Sequence, residues 1–226
     1  ASIVLLCSED KSRKFISSLV SYATGTLLGA AFLGMIPKAV MLSSTPATSA
    51  TILLGILLFF LLEKSVIWRH CHDDNCEIHT RAGPLILFGD AFHNFVDGII
   101  IAAAFMEGSS FGIATTVAVI AHEIPQEMGD FAILIESGYT RQKAFFYNYL
   151  SQATSLLGAV IAYFSLKIAQ IAIPYVLAIS AASFIYIALA DLIPGLHRTV
   201  ELKNSFLQLV LLLSGICTAA LLVLQY

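Results

Sequence analysis

Charge is what this sequence has least of. Only 12% of its 226 residues are Asp, Glu, Lys or Arg, about half the share usual in a soluble domain. So few charges cannot solvate the surface of a globule of this size. Basic runs interleaved with aromatic residues are also missing and the net charge is only -3, which excludes nucleic acid as a partner. Four cysteines give no disulfide framework: Cys7 and Cys217 lie in apolar runs, Cys71 and Cys76 in one polar loop. The start of the chain has neither a charged leader nor a small-residue cleavage site, so it does not read as a signal peptide.

What fills the sequence instead is apolar. Hydrophobic residues make up 58% and the mean hydropathy is +0.85, as expected of an all-α polytopic membrane protein. Apolar windows long enough to cross a bilayer fall at about 15–36, 50–67, 83–105, 111–136, 144–166, 172–193 and 204–225. Ala-Ser-Ile-Val-Leu-Leu-Cys at residues 1–7 reads as the remnant of a further, first span. The expectation is therefore an eight-helix bundle, seven spans of it complete, forming one transmembrane domain over 1–226. Continuous helices are expected, because lipid offers no partner to an open backbone group.

Counting the remnant as the first span, successive connections alternate sides. Lys11, Arg13, Lys14, Lys64, Arg69, Arg81, Arg141, Lys143, Arg198 and Lys203 then share one side, and only Lys38 and Lys167 fall on the other. The positive-inside rule makes the richer side cytoplasmic and puts both chain ends outside. An internal echo accompanies this order. Ala31-Phe-Leu-Gly-Met-Ile-Pro37 in the second span matches Ala188-Leu-Ala-Asp-Leu-Ile-Pro194 in the seventh, and the two spans run in opposite directions, as in inverted-repeat transporters.

The few charged residues inside the spans are concentrated in two of them. The fourth span carries His93-Asn-Phe-Val-Asp97-Gly98, and the fifth His122-Glu-Ile-Pro-Gln126-Glu127. A spacing of four places His93 with Asp97 on one helix face and His122 with Gln126 on another, with Asn94 and Glu123 beside them. Each ionisable group at the bilayer centre costs roughly 2.5–3.5 kcal/mol on insertion scales. Repulsion among Asp90, Asp97, Glu123, Glu127 and Asp130 adds to that. A divalent cation offsets both costs, and imidazole with carboxylate suits Zn(II) or another divalent first-row metal better than Mg or Ca. Pro125 removes the donor for the Ala121 carbonyl and is expected to kink and open the helix between these ligands.

At these residues the sequence resembles the ZIP family of divalent metal transporters, in particular the subfamily with HNFxDG and HExPHExGD in its fourth and fifth helices. Here the motifs read HNFVDG at 93–98 and HEIPQEMGD at 122–130. The resemblance implies a carrier with a binuclear mid-membrane site and an alternating-access cycle. One metal position maps onto His93, Asp97, His122 and position 126. The other maps onto Asn94, Asp97, Glu123 and position 126, with Glu127 nearby. Asp97 is then the bridge.

The sequence departs from the family pattern in three places. Gln126 stands where the family has His, which implies a site less committed to zinc and broader toward iron or manganese. The second span carries Ala30, Gly34 and Lys38 where the subfamily tends to carry Asp, His and Glu. The sixth span has no acid between Ala144 and Lys167, so Asn148 and Gln152 are the candidates to contribute there.

Further accessory ligands are Asp90 and Asp130, and Asp191 with His197 along an exit path, although Asp191 serves equally well as a hydrogen-bonding group within the bundle. The cytoplasmic loop 68–82 holds His70, Cys71, His72, Cys76 and His79. It reads as a loose metal-binding loop or as an ordinary polar linker. Two rival functions share these residues. HEIP resembles the start of the zinc-protease HExxH motif, which points to an intramembrane hydrolase, and the 70–79 loop suggests a metal sensor that transports nothing. The partners implied are divalent metal ions and the lipid bilayer, with a homodimer left open. Short loops and no targeting segment suit a bacterial inner membrane.

Overall fold

The computed structural model describes residues 9–68, 78–197 and 202–223, all of them helix or short connection. Helix α1 (Glu9–Gly29) passes through a π-helical turn, Ala30–Met35, into α2 (Ile36–Leu42), and α3 (Thr45–Trp68) returns. Next come α4 (Ile78–Glu107) and α5 (Ser109–Glu136), hinged at Gly108 alone, then α6 (Arg141–Gln152) and α7 (Thr154–Ile168). A 3-10 turn, Gln170–Ala172, leads to α8 (Ile173–Tyr186), which runs through a second π turn, Ile187–Leu192, into α9 (Ile193–Leu196). Last described is α10 (Leu202–Val223). The chain is an all-α polytopic membrane protein.

Six segments among the described residues are long and apolar enough to span a bilayer: Ile16–Leu42, Thr45–Leu62, Leu87–Glu107, Arg141–Ile168, Gln170–Leu196 and Asn204–Val223. Helix α5 has the length of a seventh, about 42 Å at 1.5 Å per residue, and is more polar than the six, with Ser, Thr, His, Gln and acidic residues along it. The large apolar side chains exposed on α3 (Leu53, Leu54, Leu57, Leu58), on α7 and on α10 are the lipid-facing surface such a chain needs. Residues 1–7, expected as a remnant span, lie outside the described residues, as does most of the expected loop 68–82. Ile78 to Ala82, the end of that loop by sequence, is instead the first part of α4.

Small residues set the tightest packing. Helices α4 and α7 form one extensive pair and α1 and α10 another. A Cβ added at Gly98 of α4 would strike the Ser155 carbonyl of α7, and one at Gly158 of α7 would strike the Phe95 carbonyl of α4. Gly25 and Gly215 do the same between α1 and α10. Without a hydrophobic drive between helices in lipid, backbone approach of this kind is what holds spans together.

Spans expected to be continuous are modified in three places. Both copies of the internal echo form a π turn. The Ile36 N–H donates to the Ala31 carbonyl and the Ile193 N–H to the Ala188 carbonyl, the same bond between equivalent residues of the two copies. In each, the next residue is a proline, Pro37 or Pro194, which has no N–H to continue an ordinary α-helical ladder. The sixth span breaks at Ala153, where the Thr154 hydroxyl donates to the carbonyls of Ser151 and of Ala91 across in α4. Pro125, expected to open α5, lies inside an unbroken helix.

The π turns back the fifth helix. Ala30, Ala31 and Met35 from one turn, and Ile187, Ala188 and Leu192 from the other, share a buried cluster with Ala118, Val119 and Ala121 of α5. Those α5 residues immediately precede His122. The side of α5 that faces α4 is therefore held from behind by both copies of the repeat.

Candidate metal centre

Two helical turns meet to make the site. On α4, His93 and Asp97 share a face through their spacing of four, and on α5 His122 and Glu123 are turned toward them. His122 Nε2 lies 3.2 Å from Asp97 Oδ2, 3.4 Å from Glu123 Oε1 and 3.3 Å from His93 Nε2. His93 Nε2 lies 3.5 Å from Glu123 Oε1 and 3.8 Å from Asp97 Oδ2. A tetrahedral zinc ion with bonds of about 2.0–2.2 Å requires its ligand atoms to stand about 3.3–3.6 Å apart. The four atoms are already near that spacing.

Burial and hydrogen bonding fit the same ion. Asp97 and His122 are each 1% exposed. Both carboxylate oxygens of Asp97 and both of Glu123 are shut from solvent without a hydrogen-bond donor, a costly state for carboxylates unless a cation meets them. His122 Nδ1 lies 3.1 Å from the Ala118 carbonyl one turn back. A carbonyl only accepts, so Nδ1 carries the proton and Nε2 of the neutral ring keeps its lone pair for a metal. Phe184 of α8 closes the far side of the imidazole, edge-on with ring centres 6.0 Å apart.

The other residues singled out from sequence make other contacts. The Asn94 amide donates to the Asp90 side chain at 3.0 Å and to the Asp90 carbonyl at 3.1 Å. Gln126 and Glu127 are half-buried, and Gln126 hydrogen-bonds to none of the four clustered residues. Asn148 Nδ2 donates to the Glu127 carbonyl at 3.2 Å. Asp130 is half-buried beside Asp90, and Gln152 is half-buried with its carbonyl accepting from Ser155. Asp191 lies exposed within the second π turn and His197 exposed beyond α9. His70, Cys71, His72 and Cys76 are outside the described residues, and His79 falls in the first turn of α4.

Three contacts went unnoticed in the sequence. Ser151 donates a short hydrogen bond to Asp90. Its spacing of three from Asn148 puts it on the same helix face and was the available signal. Lys38 pairs with Glu107 at 3.1 Å, and Phe184 packs on His122. No local pattern announces either.

Comparison with known proteins identifies the family. A family model described as ZIP Zinc transporter matches residues 69–223, the stretch that contains the whole site. The chain belongs to the ZIP zinc transporter family. Among similar ZIP proteins, zinc transporter ZIP13 of Pongo abelii is 33% identical over 223 residues, covering 91% of this chain and 66% of that protein. Zinc transporter ZIP6 of Homo sapiens is 43% identical over 110 residues, which is 49% of this chain and 15% of that protein. Zinc transporter foi of Drosophila melanogaster is 39% identical over 133 residues, 58% of this chain and 19% of that protein. The chain thus spans less than two thirds of each of these relatives. Membership of a family of transporters removes the hydrolase reading of HEIP. In this ZIP chain Glu123 is turned into the ligand cluster, within 3.5 Å of both imidazoles.

Proposed function

We propose that the chain carries divalent metal cations, zinc foremost, across a membrane toward the cytoplasm, with His93, Asp97, His122 and Glu123 as the mid-membrane site. The observation that carries this reading is the set of four ligand atoms, three on buried residues and one on half-buried His93, drawn from two adjacent helices and close to the spacing of a tetrahedral ion's ligands. The metal is the substrate, and the orphaned Asp97 and Glu123 oxygens supply the charge that attracts it. Asp97 Oδ1, unpartnered on the far side of the carboxylate from the cluster atom Oδ2, supports a bridging role toward a second ion. Orientation with the ten-residue basic side in the cytoplasm follows from the positive-inside rule. The amide at Gln126 supports tolerance of iron or manganese, since a neutral oxygen donor favours zinc less than imidazole does.

Reconstitution tests it directly. Purified chain in proteoliposomes should take up radioactive zinc down its gradient, and Asp97→Ala should take up none while inserting normally. Wild-type protein that binds zinc but moves none would instead support a sensor.

A further inference from the structure

A second group of buried polar residues lies next to the imidazole cluster and shares no member with it. Asp90 precedes His93 by three residues in α4, about 4.5 Å along the axis, and Asp130 follows Glu123 by seven in antiparallel α5, about 10 Å. Both displacements lead away from the Gly108 hinge, to the level where α6 packs against α4 and α5. Asp90 is 5% exposed and Asn148 of α6 is 4% exposed. The Asp130 carboxyl lies within hydrogen-bonding reach of Asp90. Between Arg81 and Arg141 the sequence has seven acids and no Lys or Arg. Of the seven, Glu107 is neutralised by Lys38, while Asp90 has His93, Glu123 and Asp130 as charged neighbours.

Asn148 is what makes this more than a cluster of acids. Its Nδ2 reaches into the α4–α5 seam to the Glu127 carbonyl, and its Oδ1, on the same amide, is buried without a donor. A buried amide oxygen with nothing to accept is unfavourable; Asn148 shares its helix face with Ser151, which bonds Asp90, and a cation is what a lone carbonyl oxygen on that face can serve. Ser151 and Asn94 each donate to Asp90, orienting its carboxylate as outer-shell donors orient metal ligands. Each carboxylate oxygen retains a further lone pair for an ion.

We propose that Asp90, Asp130 and the side-chain oxygen of Asn148 form a second divalent-cation site, built of oxygen alone, one step along the α4–α5 seam from the imidazole cluster. It deepens the metal-transport reading and rests on it. Oxygen donors hold a harder ion such as Mn(II) well and zinc less tightly than imidazole does. An ion leaving the cluster therefore meets a looser site next on its path.

The probe is Mn(II), followed by its EPR signal on the full chain in nanodiscs. His93→Ala/His122→Ala should still bind Mn(II), and adding Asp90→Asn/Asp130→Asn should abolish that binding. Asn148→Ala in the same background should weaken it about tenfold, the size of a lost metal-site contact. Asp90→Asn/Asp130→Asn alone should still bind zinc at the cluster, which shows that it folds; if it does not fold, the Asn148→Ala comparison carries the test. Wild type that binds zinc, with no Mn(II) bound by His93→Ala/His122→Ala, overturns the second site and leaves the transport reading standing. Mn(II) binding that survives all four substitutions overturns the residue assignment. Wild type that binds neither metal sinks the transport reading, and this site with it.

Discussion

His122 faces Asp97 across the α4–α5 seam at 3.2 Å with one ring nitrogen, while the other is tied to the Ala118 carbonyl at 3.1 Å. The orientation of the ring is thus fixed by the protein itself. Fixed ligands lose little freedom on binding, which favours affinity.

His122→Ala and Asp97→Ala should each reduce zinc uptake to the level of empty liposomes. Circular dichroism and gel filtration should remain those of the wild type. Near-normal uptake by both variants would show that the ion travels elsewhere.

Zinc should stabilise the folded chain. At a free concentration 100 times the dissociation constant, mass action gives about 2.7 kcal/mol. Thermal unfolding in detergent should shift upward with zinc for wild type and by much less for His122→Ala.

Gln126→His should narrow selectivity. A third imidazole within one turn of His122 favours zinc over manganese by roughly tenfold, equivalent to about 1.4 kcal/mol. Competition uptake with zinc, iron and manganese measures this, and unchanged ratios would remove Gln126 as the determinant.

Gly158→Leu should loosen the α4–α7 pair. The side chain has no room against the Phe95 carbonyl, and forced overpacking costs about 1–3 kcal/mol. A fall in unfolding temperature, with zinc affinity reduced because α4 carries His93 and Asp97, is the expected pair of results.

Lys38→Ala should cost little. Its side chain is 35% exposed in the pair with Glu107, and such pairs contribute about 0.2–1 kcal/mol. A double-mutant cycle with Glu107→Ala measures the coupling, and a value well above that range would mean the pair is effectively buried.

Much of this fold was legible because a bilayer imposes lengths and punishes charge. The expected windows 111–136 and 204–225 meet α5 at Ser109–Glu136 and the span Asn204–Val223. His93, Asp97 and His122 stood out as expensive residues that needed a reason. Breaks in the helices were harder to read. Ala153 interrupts the sixth span although alanine is the best helix former, and the cause is Thr154 bonding across to Ala91, a contact with no local trace. Pro125 carried the strongest local signal for a break, and tertiary packing held α5 together through it. The bonds of Asn94 were equally hidden: its Nδ2 donates to Asp90 one turn earlier, a contact that the HNFxDG spacing does not announce. Nor do span lengths and charge bias distinguish one organism's bilayer from another's.

The paired π turns leave each half of the molecule with slack in its thread. A π turn holds one residue more than the α-helical path it replaces, so deleting one residue there is a change the chain can absorb without rotating the faces on either side. Phe32 and Leu189 occupy equivalent places in the two turns and are 55% and 53% exposed, so neither is tied into the core. Removing Phe32 or Leu189 should therefore tighten its turn to an ordinary α-helical path and leave the helix faces on either side in register.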